Sequence, residues 1–295
     1  MNWNGLGDTV ECVRTLKQLT YPDYKIIMVD NGSTDGSADA LQRVFPEIEI
    51  IRNEKNLGFA GGENTGMRRA LAEGAEYIAI INNDATADPG FLTELVSAAE
   101  SEKGAGMLSS KVYFFDSPRI LWYAGASFHP WIGWGRHRGF NMPDRGQFDD
   151  IEETQRPCGC SMLVTKELCE KIGLLDERFF CYSEDIDWGM RAGKAGFKVL
   201  YVPGSKVWHK VSRATGGPSS AVALYYTVRN TLMCVDKNKP LPLPLRSLRY
   251  AAIIGVSFLS LLTMRVPKAL GSRRIVQGAK DYFLGRCGEL RRGNR

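Results

Sequence analysis

Residues 78–92, IAIINNDATADPGFL, decide how the rest of the chain is read, because apolar residues run straight into Asn82, Asn83 and Asp84. An apolar run of this length bounded by turn residues reads as a buried strand of a parallel sheet. Parallel strands present ligand sites just beyond their carboxyl ends, which is where Asp84 stands. The plainer alternative is that Asn-Asp and Asp88-Pro89 only make a turn and cap a helix beginning near Phe91.

Working back toward the N-terminus, the same order recurs. YKIIMVDNGSTDGS sets a short β-rich run, Lys25 to Val29, before a polar turn and a helix from about Ser37. IEIIRNEKNLGFAGGENTGMRRALAEG repeats strand, glycine-rich loop and helix. Strands alternating with helices predict an α/β domain with a mainly parallel twisted sheet flanked by helices. The chain itself opens at MNWNG, a polar turn followed by a helical pattern, with no strand before it.

After Gly106 the sequence turns aromatic and glycine-punctuated, which predicts strands and a long excursion. CSMLV then reads as a strand and Lys166 to Lys171 as a helix; SEDIDWGMRAGKAG reads as a second helix, and FKVLYVP as a strand. Pro242 and Pro244 exclude helix and central strand from 241–245 and set a boundary there. Beyond it, Tyr250 to Met264 is about fifteen mostly apolar residues, short of the ~20 that cross a bilayer. Flanked by Arg246, Arg249, Arg265 and Lys268, the segment predicts an in-plane interfacial helix, the alternative being a core helix docked on the sheet.

The 295 residues are 44% hydrophobic and 24% charged, so intrinsic disorder is not expected. The net charge of +5 is concentrated in the last fifty or so residues, ending in GRCGELRRGNR. Such a tail suits an anionic surface, membrane lipid or nucleic acid, or is simply a solvated end. Seven cysteines, scattered with no secretory signal ahead of them, favour reduced thiols and a cytosolic compartment. Cys158 and Cys160 lack a second Cys or His pair at zinc spacing and read as small buried residues.

The acidic positions carry the chemistry. Asp187 and Arg191 stand four apart on one helical face and can pair there. Glu184 and Asp185 precede them at a helix N-terminus; one acid suffices for a cap, leaving the other free to act as a base. His209, one of three histidines, lies after a strand in LYVPGSKVWHK. With Asp84 it forms an oxygen and nitrogen pair suited to Mg²⁺ or Mn²⁺ held mainly through a diphosphate.

Taken in order, VDNGSTDGS, RNEKNLGFAGGENTG, INNDA, GLLDERFFCYSEDIDWGMRAGKAGFKVLYVP, WH and YYTVRN resemble the inverting GT-A glycosyltransferases of family two, above all the bacterial rhamnosyltransferase-like branch. The resemblance spans about residues 2–235. It implies a nucleotide-sugar donor (dTDP- or UDP-sugar), Mg²⁺ or Mn²⁺, and transfer with inversion to the hydroxyl of a glycan or lipid-linked glycan. The setting would be cell-surface polysaccharide or glycolipid synthesis on the cytoplasmic face of the membrane, with no nucleic-acid partner. By position it assigns the nucleotide base to Asp30 and the metal to Asp84 and His209. It makes Asp185 the catalytic base with Glu184 beside it. Donor contacts are expected from Asn4, Asn31, Gly58, Gly61, Asn64 and Asn83, and from Arg213 and Arg229 at the diphosphate.

The expected division is a catalytic domain over 1–240, with a nucleotide-binding half to about 105 and an acceptor half after it, and a basic helical tail over 241–295. Family members begin with an apolar strand before N-x-N-G. Here NWNG is present without it, so either the start lies upstream or the domain is weakened, because neighbouring strands would expose backbone groups. Three other readings fit less well. A nucleotidyltransferase needs a basic triphosphate loop that NWNGLGDT does not supply; a nicotinamide-binding domain needs the G-x-G-x-x-G spacing that GFAGGEN lacks. A non-catalytic, membrane-associated binding protein would have no use for the base and metal positions that are filled here.

Overall fold

The structure is a computed structural model and describes residues 1–211 and 220–290. Helix α1 (Leu6–Leu16) precedes strand β1 (Ile27–Asp30), α2 (Ser37–Val44) and β2 (Glu49–Arg52). Then come α3 (Gly58–Ala72), β3 (Tyr77–Ile81), the short β4 (Ala85–Ala87) and α4 (Phe91–Ser101). The alternation expected from the apolar runs is therefore present.

One local reading changes. The glycine-rich stretch is the opening of α3, not a loop. Gly58 has φ +76, and a Cβ there would overlap the carbonyl of Phe180, so this glycine lets the helix start press against a distant turn.

The second half supplies β5 (Ala105–Phe114), β6 (Ser117–Tyr123), a hairpin β7 (Ala126–His129) and β8 (Trp134–His137), β9 (Glu152–Glu153), β10 (Ser161–Thr165) and α5 (Lys166–Ile172). After these come α6 (Glu184–Lys194) and the long β11 (Lys198–His209). The main sheet runs β3-β10-β5-β11-β4, with β6 on β5 and β9 on β11. It is mixed, which corrects the mainly parallel expectation. Among the described strands β1–β2 and β5–β11 pair in parallel, while β10 enters antiparallel between β3 and β5.

The ribbon β1-β2 is a separate sheet. Only Asn2 continues it: its amide donates to Val29 O (2.7 Å) and its carbonyl accepts from Asn31 N (2.8 Å). Between β1 and β3 lies a cavity of about 680 Å³ whose walls include Met28, Val29, Ile78 and Ile80. It is a gap between two strand edges, and Asp185 and His209 do not line it.

Helix α7 (Ala221–Asn238) closes the segment up to 240, and the tail beyond it is helical in α8 (Leu243–Thr263) and α9 (Lys268–Phe283). Helix α8 starts inside the stretch from which proline was expected to exclude helix. Pro244 sits in the first turn, where no amide partner is needed and the ring's φ suits the helix. Asp236 on α7 fastens the three helices together, accepting from Arg249 (2.9 Å) and from the hydroxyls of Tyr250 and Tyr282. Tyr250, Ile253 and Leu261 share one core with Phe128, Phe179 and Ile186. Helix α8 packs against α7 and α9.

Candidate active site

Strand β3 delivers Asn82-Asn83-Asp84 to the sheet end, where Asn82 N donates to Cys160 O (2.9 Å). Directly afterwards β4 pairs antiparallel with β11, in a register that sets His209 opposite Ala85. Residues 125 positions apart thereby meet: His209 Nε2 lies 3.0 Å from Asp84 Oδ1. His209 is 3% exposed, and Trp122 packs edge-on against it with ring centroids 5.0 Å apart. Its Nδ1 is buried with no hydrogen-bond partner, so the ring's orientation is set from the Asp84 side. A carboxylate oxygen and an imidazole nitrogen converging in a buried corner suit Mg²⁺ or Mn²⁺. Among the described residues no group of three or more His, Cys, Asp or Glu could hold a metal, so such an ion would draw its remaining ligands from phosphate oxygens and water.

Asp88 does not cap the following helix. Its side chain accepts from Gly90 N (2.9 Å), closing a turn, and α4 has no side-chain cap.

The second acidic cluster opens α6. Phe180, Tyr182 and Ser183 all have φ between 66° and 71°, a left-handed conformation that non-glycine residues adopt at a cost. Asn230 holds this turn, donating through Nδ2 to the carbonyls of Phe179, Cys181 and Tyr182 (2.9, 2.7 and 2.7 Å). Arg229 adds a bond to Phe179 O (2.9 Å) and another to Gly288 O (2.7 Å). Arg229 is thus a buried brace under the turn, its guanidinium bonded to backbone carbonyls.

Asp185 is buried, with Oδ1 accepting from Ile186 N (2.8 Å) and Oδ2 3.4 Å from Arg156 Nη2. Glu184 is buried beside it, with one carboxylate oxygen lacking any partner. Burial, and then the charge of Asp185, push the Glu184 carboxyl up to about 8, which favours its protonated form. The Cys160 thiol is pushed well above its usual range by burial first and then by Cys158, with the Asp84 and Asp185 carboxylates adding to the effect. Cys160 thus stands within electrostatic reach of both acidic centres. Cys158 and Cys160 are free and buried.

Asp187 is a structural acid. It is fully buried and accepts from Arg191 Nε (2.9 Å), Lys237 Nζ (2.9 Å) and Asn238 Nδ2 (2.7 Å). The pair expected from the four-residue spacing is present.

The residues expected around the donor divide into two groups. Asp30 is buried below the Asp-Asn-Gly-Ser turn, accepting from Asn2 Nδ2 (2.8 Å) and Ser33 N (3.1 Å). Asn4, with φ 51, accepts from Thr34 N (2.8 Å) and stays near the surface; Asn83 donates to Thr9 Oγ1 (2.9 Å).

Asn31 and Asn64 are held in internal hydrogen bonds. Asn31 ties Asn53, Asn56, Leu57 and Gly58 together, while Asn64 bonds Leu175 through both N and O and also reaches Glu177. Gly58 and Gly61 are close-packing positions, against Phe180 and Leu57. Arg213 lies outside the described residues.

Sequence reading passed over Arg156, Asn230, Asn2 and Trp122. Arg156 precedes Pro157-Cys158-Gly159-Cys160, where the cysteines drew attention instead. Asn230 adjoins Arg229 but offers no charge to read.

The Glycosyl transferase family 2 model matches residues 3–173, more than half of the chain. The N-acetylglucosaminyl-diphospho-decaprenol L-rhamnosyltransferase of Mycobacterium tuberculosis is 28% identical over 236 residues, covering 72% of this chain and 75% of that protein. The dTDP-rhamnosyl transferase RfbF of Shigella flexneri is 26% identical over 256 residues, covering 81% and 80%. Among solved structures, the mannosyltransferase PcManGT from Pyrobaculum calidifontis in complex with GDP-Man and Mn²⁺ superposes with a TM-score of 0.61 at 14% identity, over 96% of this chain and 85% of that one. GalNAc-T7 with UDP, GalNAc and Mn²⁺ gives 0.62 at 16% identity, over 84% and 52%. These likenesses fix the fold as GT-A. Family model, relatives and fold agree with one another, and the chain belongs to glycosyl transferase family 2 as a glycosyltransferase.

Proposed function

We propose that the protein transfers rhamnose from a dTDP-sugar to a hydroxyl of a lipid-linked glycan, with inversion at the anomeric carbon. The observation that carries the reading is the pairing of Asp84 with His209 at one end of a sheet whose neighbouring element presents Asp185. The Mycobacterium and Shigella relatives, named for rhamnosyl transfer, one of them to a decaprenol-linked sugar, supply the substrate class.

Inversion needs a base on the acceptor side and neutralisation of the departing diphosphate on the other. Asp185 takes the acceptor proton, and Glu184, its protonated form favoured by burial, limits the negative charge beside it. Asp84 and His209 hold the divalent metal, which when bound offsets the diphosphate charge. Asp30 takes the nucleotide base; Asn4 and Asn83 line the same end of the sheet. Catalysis belongs to residues 1–240, with donor groups before about 105 and the base after it. Residues 241–295 keep the enzyme at the cytoplasmic membrane face.

The test is to incubate purified protein with dTDP-rhamnose, a polyprenyl-diphosphate-linked amino sugar and Mg²⁺ or Mn²⁺, and to assign the product's anomeric configuration by NMR. Retention of configuration, or full turnover in excess chelator, overturns the reading. Strict preference for another sugar nucleotide overturns the donor.

A further inference from the structure

Helix α8 buries one face and leaves an apolar stripe on the opposite one. Arg249, Tyr250, Ile253 and Leu261 are buried against α7 and α9. On the other side Leu248, Ala251, Gly255, Leu259 and Leu262 follow one another at three- and four-residue steps, all exposed. Leu248, Leu259 and Leu262 are 64, 65 and 68% exposed. A helix lying on a globular domain normally turns polar residues outward. This outward stripe holds no charged or hydrogen-bonding side chain.

The hairpin β7–β8 reaches the same helix. Gly133, at its tip with φ +61, sits so close to Thr231 of α7 and Ile253 of α8 that a Cβ would overlap the first and crowd the second. Trp131 and Trp134, on either side of the tip, are each about half exposed. The chain from Lys237 to Lys280 carries charge of one sign, with Arg249 and Arg274 buried and Lys237 paired to Asp176 and Asp187. Between Asp236 and Asp281 there is no acidic residue and there are nine basic ones. Arg265 and Arg273 are exposed where α8 ends and α9 runs on, and Lys268 caps the last carbonyls of α8.

We infer that the outward stripe of α8 and the Trp131–Trp134 tip form one surface that seats on an anionic bilayer, with α8 lying in the membrane plane. Apolar side chains enter the headgroup boundary, tryptophans sit at its polar edge, and the basic residues meet lipid phosphates. The 21 residues of α8 are long enough to cross a membrane. Crossing would nonetheless pull Arg249 from Asp236 and from Lys239 O, and Ile253 out of the shared core. A protein partner is the weaker occupant, because neither face nor rim offers the alternating charges that fix a protein in register.

The inference deepens the proposed acceptor and rests on that reading for its meaning. From the tip, β8 leads back to Gly135, beside Arg156, which contacts Asp185. One hairpin thus connects the lipid surface to the base, as an amphiphilic acceptor requires.

The experiment is vesicle flotation of the full chain without donor or acceptor, so its result is independent of any transfer assay. Vesicles are phosphatidylglycerol–phosphatidylcholine or phosphatidylcholine alone. The wild type should float with the anionic vesicles and at least tenfold less with the neutral ones. A Leu248→Glu/Leu259→Glu/Leu262→Glu variant and a Trp131→Ser/Trp134→Ser variant should each lose at least tenfold in binding, with unchanged melting temperature. Because the triple variant may misfold, quenching of wild-type tryptophan fluorescence by brominated lipid is read as well, and should occur only with anionic vesicles. Flotation of both variants like the wild type, absence of quenching, or wild-type self-association without vesicle binding each overturns the inference.

Discussion

His209 Nε2 approaches Asp84 Oδ1 to 3.0 Å because β4 and β11 pair in a register that places these residues side by side. Asp84→Ala and His209→Ala should therefore both abolish metal-dependent donor binding, measured by calorimetric titration with the nucleoside diphosphate with and without Mn²⁺. If His209→Ala binds like the wild type in Mn²⁺, the histidine is not a ligand.

Asp185→Asn keeps the size of the side chain and its bond to Ile186 N but removes the proton acceptor. Turnover should fall by roughly 10²- to 10⁴-fold, the span expected for general base catalysis, with donor affinity unchanged. Near-normal turnover would take Asp185 out of the reaction.

Asp187→Asn leaves Arg191 and Lys237 without their shared carboxylate. Removing one partner of a buried ion pair costs about 3–5 kcal/mol, and the loss should appear in denaturant unfolding. The chemical step, read at saturating substrate on the folded fraction, should change far less than in Asp185→Asn.

Glu184 gives the protein an alkaline weakness. Its carboxyl titrates near 4.5 in the unfolded chain and is raised to about 8 by burial in the fold, so between these values the folded state binds the extra proton. Its stabilising contribution is complete below about pH 4.5 and is lost as pH rises toward and through 8. Glu184→Gln should flatten the decline of melting temperature between pH 5 and pH 9. An unchanged slope would mean that the wild-type residue is already ionised.

Asn230→Ala removes three bonds from the left-handed turn before α6. Both turnover and stability should fall, and Asn230→Asp should not restore them, since a carboxylate cannot donate to carbonyls.

The sequence carried the order of elements, the place of Asp84 just after β3 and the Asp187–Arg191 pair, because these depend on local signals: apolar runs, turn residues, opposite charges four apart. What it concealed was pairing between distant segments. Nothing near residue 230 says that an asparagine amide faces the carbonyls of 179–182, and nothing near 156 says that an arginine reaches Asp185. The charge of Arg229 is legible in the sequence, while its bonds to Phe179 O and Gly288 O are not. Asn31 and Asn64 sit in the motifs that carry the resemblance, yet their amides hold the framework together. Proline in the first turn of α8 was a matter of position within the helix, which composition does not give.

The gap between β1 and β3 exposes more than a void. Two strand edges face it with ladder positions that Asn2 alone does not fill, so amides there should exchange with solvent ahead of those in β5 and β10. An open edge beside an apolar trough also accepts whatever extended chain reaches it first. At high concentration that is another copy of the protein, so the facing edges of β1 and β3 are where strand-to-strand association should begin.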